Sequence, residues 1–114
     1  MTIRQTNPPF MSGVPELLVL RLLARQEMYG YELVKAVRVV TSEAIRLGEG
    51  VIYPVLHGLE RNGSLRARRK AVNGRTRVYY SVTPTGQQRL DRLAGEWERI
   101  KNGIQSVLES PQNA

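Results

Sequence analysis

The most restrictive feature of this sequence is an Asn-Gly pair at positions 73 and 74, set between two stretches of strand length. Asn-Gly is the preferred two-residue loop of a type I′ β-hairpin, because both positions need a positive φ. The turn also sets the register: Val72 opposes Arg75, and counting outward places Leu65 opposite Val82. One face of this hairpin is mostly apolar, and we expect it to pack against a hydrophobic core.

Positive charge is concentrated in and around the same hairpin. Residues 61–77 contain no acidic residue and seven basic ones, Arg61, Arg66, Arg68, Arg69, Lys70, Arg75 and Arg77. The chain has a net charge of +7, so this segment holds the whole excess. The register places Lys70 opposite Arg77, an unfavourable pairing that predicts an external polyanion. The alternative is a solvated sheet edge protected by its charges.

Amphipathic stretches before the hairpin predict three helices. Residues 1–12 contain two prolines and few apolar side chains, and predict a flexible arm. The first helix is expected to begin at Pro15, which suits a first turn, and to be central and buried. "YELVKAVRVV" predicts the second helix, and residues 49–62 predict the third, with Ile52, Leu56 and Leu59 on its apolar face. Pro54 is compatible with that third helix only if the helix begins just before it.

Thr83-Pro84 predicts the start of a last helix that runs to about Glu109. Its apolar residues recur in steps of three and four, at Leu90, Leu93, Trp97, Ile100, Ile104 and Val107. This spacing forms a heptad seam along a helix of roughly 39 Å. A domain this small cannot cover so long a seam, so we expect the seam to be a homodimer interface.

Together these elements predict a mainly α fold of the α+β class, a winged helix-turn-helix. Residues 13–83 would form the DNA-binding domain, 84–109 the dimerisation helix and 110–114 a tail. The third helix would enter the major groove of double-stranded DNA, with the hairpin as the wing. The predicted polyanion is then the phosphate backbone, gripped by arginine forks.

Three motifs resemble the signature blocks of the PadR family of bacterial transcriptional regulators. They are "MYGYELVKAV" (28–37), "LGEGVIYPVLHGLERNGSL" (47–65) and "GRTRVYYSVTPTG" (74–86), in the family's order and spacing. The short chain with one terminal helix is similar to the family's compact branch, which includes multidrug-sensing repressors. The resemblance implies a homodimer that binds a palindromic operator and usually represses.

The resemblance also assigns residues to DNA contact. Tyr31 matches a tyrosine that contacts the backbone, and Tyr53-Pro54 matches the "YP" that begins the recognition helix. Gly50 and Val51 precede it in base-reading positions, although the family often has Thr or Ser where this chain has Val51. An apolar contact with a thymine methyl could replace the lost hydroxyl contact.

The complete set of expected DNA-binding residues is Tyr31, Gly50, Val51, Tyr53, Pro54, His57, Arg61, Arg66, Arg68, Lys70, Arg75, Arg77 and Tyr79. Alternatives stay open for several of them. Tyr31 and Tyr53 are large enough to lie partly in the core, His57 could be a solvated surface residue, and Arg61 could stabilise the end of its helix. Tyr80 is expected to be a core residue.

Trp97 is the only tryptophan and lies in the middle of the seam. Its position resembles that of the tryptophan which stacks on flat aromatic effectors in multidrug-sensing PadR-like repressors. Composition alone favours a tryptophan that fills a dimer core, because aromatic residues in such a seam usually pack. A small aromatic effector at the dimer interface is therefore an expectation that the resemblance adds.

The remaining composition argues against other functions. The chain has no cysteine and one histidine, so we expect no metal site, no cofactor and no catalytic nucleophile–base pair. No apolar run reaches the roughly 20 residues of a membrane span, and the first residues lack the order of a signal peptide, so we expect a cytoplasmic protein. The competing interpretation is a protein-interaction module or a nonspecific DNA binder built on the same fold.

Overall fold

A computed structural model describes residues 7–112 of the chain. In chain order its elements are α1 (Asn7–Arg25), β1 (Met28–Tyr29), α2 (Gly30–Val40), α3 (Glu49–Arg61), β2 (Leu65–Val72), β3 (Arg75–Val82) and α4 (Pro84–Glu109). The helices dominate, and the strands form one antiparallel sheet in the order β1-β3-β2. The predicted mainly α fold of three helices, a hairpin and a last helix is confirmed.

The β2–β3 hairpin has the predicted register. Leu65 pairs with Val82 and Lys70 with Arg77. Asn73 and Gly74 form the turn with φ values of 51° and 77°, in the left-handed region that a type I′ loop needs. The turn residues therefore determine which side chains of the hairpin share a face.

The strand β1 was not predicted from the sequence. Met28 pairs with Tyr80 and Tyr29 with Tyr79, so β1 extends the sheet beyond β3 by only two residues. A strand this short has no alternating pattern that could reveal it. In the described part of the chain, it covers β3 at Tyr79 and Tyr80 and leaves the edge from Arg75 to Val78 without a paired strand.

The hydrophobic core lies between the helices and the apolar face of the sheet. Val19 and Leu20 of α1 are fully buried, which confirms the prediction of a central first helix. Tyr80 is 5% exposed and belongs to the same core, as expected. The other buried members are Leu22, Leu23, Leu33, Val37, Ile52, Leu56, Leu59, Leu65 and Leu90.

Two predictions about prolines were wrong. The helix α1 begins at Asn7 and not at Pro15, so the expected arm is helical over residues 7–12, while residues 1–6 lie outside the described part. Prolines in a first turn remove no helical hydrogen bond, so the Pro8-Pro9 pair does not prevent an early start. Pro54 lies one turn inside α3, where it cannot donate to the carbonyl of Gly50. Gly50 is exposed, so water can satisfy that carbonyl.

The start of α4 is attached firmly to the base of the wing. The Thr83 hydroxyl accepts a hydrogen bond from the Gly86 N–H (3.0 Å) and donates one to the Gly63 carbonyl (2.5 Å). A Cβ on Gly86 would lie 2.0 Å from the backbone oxygen of Ser64, so only glycine fits there. Arg89 pairs with Glu16 of α1 at 2.8 Å. The first turns of α4 are thus fixed to α1 and to the base of the hairpin.

Candidate nucleic-acid interface

The recognition surface begins with the outer face of α3. Its inner face is buried through Ile52, Leu56 and Leu59. The α3 residues predicted to contact DNA, apart from Tyr53, lie on the opposite side, where Gly50, Val51, Pro54, His57 and Arg61 are all exposed. The i, i+3 and i+4 spacing of these residues places them on one helical stripe. The structure therefore brings together the α3 residues that the sequence proposed.

Tyr53 stands at the boundary between core and surface. It is half-buried, and its ring covers Gly30 at the start of α2, where a Cβ would lie 2.5 Å from the Tyr53 Cζ. The His57 ring lies 6.3 Å from the Tyr53 ring, centroid to centroid. Tyr31 is 52% exposed. Both tyrosines were expected to be large enough to lie partly in the core. Tyr31 is instead a surface residue, whereas Tyr53 is partly in the core.

A groove separates α3 from the wing. Its lining combines aromatic rings of the helix-turn-helix with the exposed edge of β3, namely Tyr29, Tyr31, Tyr53, Arg75, Thr76 and Arg77. A neighbouring stretch of the groove continues past His57 and Val78 to Tyr80. The groove thus contains residues from all three motifs. Tyr29 and Thr76 were not predicted as site residues, and the position of Tyr29 depends on the unpredicted strand β1.

The polar face of the wing carries two cation–aromatic contacts. The rings of Tyr29 and Tyr79 meet edge to face at 5.3 Å. The guanidinium carbon of Arg77 lies 4.4 Å from the centroid of Tyr29, and the Lys70 ammonium lies 4.5 Å from that of Tyr79. Each of the two opposed cations is therefore stabilised by its own ring.

Glu27 is an acidic partner of the basic segment 61–77, although it lies outside that segment in the sequence. It lies between α1 and β1, and its carboxylate pairs with Arg68 and also with Lys70, at 3.7 Å from the Lys70 Nζ. The fold thus brings its own carboxylate to Arg68 and Lys70, so the pairing of Lys70 with Arg77 does not by itself require an external anion. A contact across 41 residues leaves no sign in the local sequence.

Other basic residues of the segment remain available. Within residues 7–112, the side chains of Arg66, Arg69 and Arg75 form no ion pair or hydrogen bond, and all three residues are exposed. Arg75 follows the turn at the tip of the wing, and Arg69 lies on the face opposite Arg68. Their guanidinium groups are suited to bidentate contact with phosphate.

The buried phenol of Tyr80 closes the floor of the groove. Burial raises the pKa of the Tyr80 phenol above its usual value, and the charge of Glu60 and the neighbouring Tyr53 raise it further. Tyr80 is therefore held in its neutral form. Its role in the structure is packing, consistent with its place in the core.

The seam of α4 divides into two parts. Leu90 is 1% exposed and has no free surface for a partner, so the expectation that it lies in a dimer interface needs correction, whereas Leu93 is half-buried and packs on the edge of the same core. Trp97 is half-buried and borders a crevice of about 10 Å³ against Gly13, Val14 and Leu17 of α1. Further along, Ile104, Val107 and Leu108 are 49%, 72% and 74% exposed.

These features define the class of the protein as a winged helix-turn-helix, in which α3 has the position of the recognition helix and the β2–β3 hairpin that of the wing. Residues 19–92 match the transcriptional regulator PadR-like family. The chain belongs to this family, and the resemblance carried by its three motifs is confirmed.

Relatives and solved structures agree with this assignment. A transcriptional regulator of Mycobacterium tuberculosis is 34% identical over 89 residues, 76% of this chain and 80% of that protein. The Escherichia coli transcriptional regulator YqjI is 32% identical over 97 residues, 85% of this chain and 45% of that protein. The structure of a Clostridium thermocellum transcriptional regulator superposes with a TM-score of 0.81 at 27% identity, over 94% of this chain and 100% of the other. A PadR family regulator from Clostridium difficile gives 0.73 at 28% identity, over 84% and 99%.

Two further structural findings concern the other sequence expectations. Between residues 7 and 112, no helix combines the length and the apolar content needed to cross a membrane. In the same range, no three potential metal-ligating side chains come together.

Proposed function

We propose that this protein is a homodimer that binds a palindromic DNA operator and represses a nearby operon. One observation carries the proposal: α3 and the wing border a single groove, which Tyr53 lines from the helix and Arg75 and Arg77 line from the strand. A recognition helix in the major groove and a wing on the adjacent backbone would place a phosphate strand along this groove. Repression is the usual action that the PadR resemblance implies.

We assign recognition of the DNA base sequence to the exposed stripe of α3. Val51 is 41% exposed and can contact the methyl group of a thymine. The exposed His57 can exchange a hydrogen bond with a base edge. Because Pro54 has no N–H, the Gly50 carbonyl is also free to accept from an amino group of cytosine or adenine.

Affinity is assigned to the wing and to the tyrosines beside it. Arg66, Arg69 and Arg75 are exposed and would form bidentate contacts with phosphates. The hydroxyl of Tyr31, at the first turn of α2, would donate to the backbone on the other side of the groove. These contacts fix the register of the protein on the duplex without selecting its sequence.

Dimerisation is assigned to the outer half of α4. The exposed Ile104, Val107 and Leu108 continue the spacing of Ile100, and a second copy would bury them. A twofold axis through this interface would relate two recognition helices, which is why a palindromic operator is expected. Leu93, Trp97, Ile100, Ile104 and Val107 remain the proposed partner-facing residues of the predicted seam.

Release by a flat aromatic effector is assigned to Trp97. The crevice beside this residue in one protomer has room for about one water molecule, so a ligand site would need surfaces from both copies. A compound bound between the two α4 helices would change the spacing of the recognition helices, and DNA affinity would fall through linkage.

The test is equilibrium DNA binding as a function of salt. About eight phosphate contacts predict a slope near −7 for log K against log salt concentration. Replacing Arg75 with Gln should reduce the magnitude of the slope by about 0.9. Arg92→Gln, on the exposed side of α4, is the charge-matched control and should leave the slope unchanged. Binding that does not respond to salt would contradict the phosphate contacts.

A further inference from the structure

Glu27 lies against the wing but has no role in the function proposed above. Its carboxylate pairs with Arg68 and Lys70, two wing bases that follow one another on the same face of β2. The Glu27 side chain is 29% exposed, whereas those of Arg68 and Lys70 are 57% and 43% exposed. The acid is thus the more sheltered partner, and the two bases fold over it.

Arg68 and Lys70 have side-chain partners that other bases of the hairpin lack. Lys70 also lies over the Tyr79 ring, so its ammonium is held between a carboxylate and an aromatic face. Arg66 and Arg75 have no ion pair within residues 7–112. The wing therefore contains bases that already have an anion and bases that do not.

We propose that Glu27 is an internal counter-anion that holds Arg68 and Lys70 back from DNA and so limits nonspecific binding. This inference rests on the DNA-binding function proposed above. A phosphate that approaches these bases must displace the carboxylate or share the cations with it, and the negative charge of Glu27 repels the phosphate in either case. Removing the carboxylate should therefore strengthen backbone contacts.

The pairing of Glu27 with the two wing bases also affects the specificity of DNA binding. The chain has a net charge of +7, and sequence-independent affinity grows with each phosphate that a free base neutralises. We expect Glu27 to take no part in base reading by α3, because it does not line the groove between α3 and the wing and its carboxylate pairs with Arg68 and Lys70 of β2. A carboxylate against the wing therefore lowers nonspecific binding more than operator binding, which raises the ratio between them.

The first experiment compares Glu27→Gln with the wild-type protein on a duplex of random sequence over a range of salt concentrations. We expect Glu27→Gln to bind about threefold to tenfold more tightly at moderate salt. The salt slope should steepen by about 1 to 2, because two bases gain phosphates. Glu98→Gln removes a carboxylate that pairs with Lys101 far along α4, and this charge-matched control should change neither quantity.

The outcomes separate the two proposals. A wild-type protein that shows no salt-dependent DNA binding would overturn the proposed function itself. Normal wild-type binding together with an unchanged or shallower slope for Glu27→Gln would overturn only the role of Glu27. Thermal melting of both variants verifies that they are folded.

A second measurement compares two substitutions that change the net charge by the same amount. Arg68→Gln should alter the slope less than Arg75→Gln does, because Arg68 is already paired. In the Glu27→Gln background, the effect of Arg68→Gln should grow to about 0.9, the value for one phosphate contact. An effect of Arg68→Gln that is equal in both backgrounds would contradict the proposal.

Discussion

The ring of Tyr53 occupies the space that any side chain at Gly30 would need. A Cβ built on Gly30 would lie 2.5 Å from both the Cζ and the Oη of Tyr53. This contact joins the first turn of α2 to the recognition helix, and it explains on steric grounds why a glycine stands between Tyr29 and Tyr31.

The first prediction follows from that contact. Gly30→Ala should displace the Tyr53 ring into the groove, lower DNA affinity by about tenfold, and reduce the free energy of unfolding by about 1–3 kcal/mol. Fluorescence anisotropy with a labelled duplex and denaturant unfolding measure the two effects. In a Tyr53→Ala background the cost of Gly30→Ala should nearly disappear, because the clashing ring is gone. A cost that persists there would show that the backbone of Gly30, and not Tyr53, is responsible.

The attachment of α4 can be tested at Gly86. Gly86→Ala would place a Cβ 2.0 Å from the Ser64 backbone oxygen, and neither backbone can move without breaking the Thr83 hydrogen bonds. We expect a loss of more than about 2 kcal/mol in the free energy of unfolding. Gly95→Ala is the matched control, since a Cβ there meets nothing within 4 Å. It should be neutral or stabilise by up to about 1 kcal/mol.

The raised pKa of Tyr80 predicts that the free energy of unfolding depends on pH. Its pKa is raised in the folded protein, chiefly by burial, so the folded state keeps the phenolic proton after the unfolded chain has lost it. The stabilisation is complete below the ordinary pKa of about 10 and falls as pH rises through the folded value. Unfolding of wild-type protein and Tyr80→Phe should therefore be compared from pH 8 to 11. The wild-type protein should lose stability relative to the variant above pH 10, and parallel curves would contradict the assignment.

The outer half of α4 predicts the oligomeric state. Ile104→Glu should shift the protein from dimer to monomer in sedimentation equilibrium, because it places a charge in the proposed apolar interface. Ser106→Glu adds the same charge on the other side of the helix and should leave the dimer intact. Equal association by both variants would place the interface elsewhere.

Local signals predicted much of this structure. The Asn-Gly turn alone determined the register of the hairpin, from Val72 opposite Arg75 to Leu65 opposite Val82. The start of α4 at Pro84 followed from the cap at Thr83. Periodicity also predicted that Ile52, Leu56 and Leu59 line one face of α3, and all three are buried. These features depend on residues within a few positions of one another, which is why a sequence reveals them.

What the sequence did not reveal depends on distant contacts. The pairing of β1 with β3, and of Glu27 with Arg68, joins residues that are far apart in the chain. Leu90 has the same heptad spacing as Ile104, yet the first is in the protomer's core and the second is exposed. Spacing predicts an apolar face but cannot tell which neighbour covers it. The individual DNA contacts of the α3 stripe and the wing remain predictions.

The central claim is that α3 reads a specific sequence while the wing supplies phosphate contacts. The most direct measurement is capture of sheared genomic DNA from the source organism by the purified protein at near-physiological salt, followed by sequencing. The account predicts an inverted-repeat motif upstream of a small number of genes. It also predicts that a protein with Val51 and His57 replaced by Ala loses the motif while it retains nonspecific binding. Uniform recovery of DNA without a motif would contradict the claim and would favour a nonspecific binder built on the same fold.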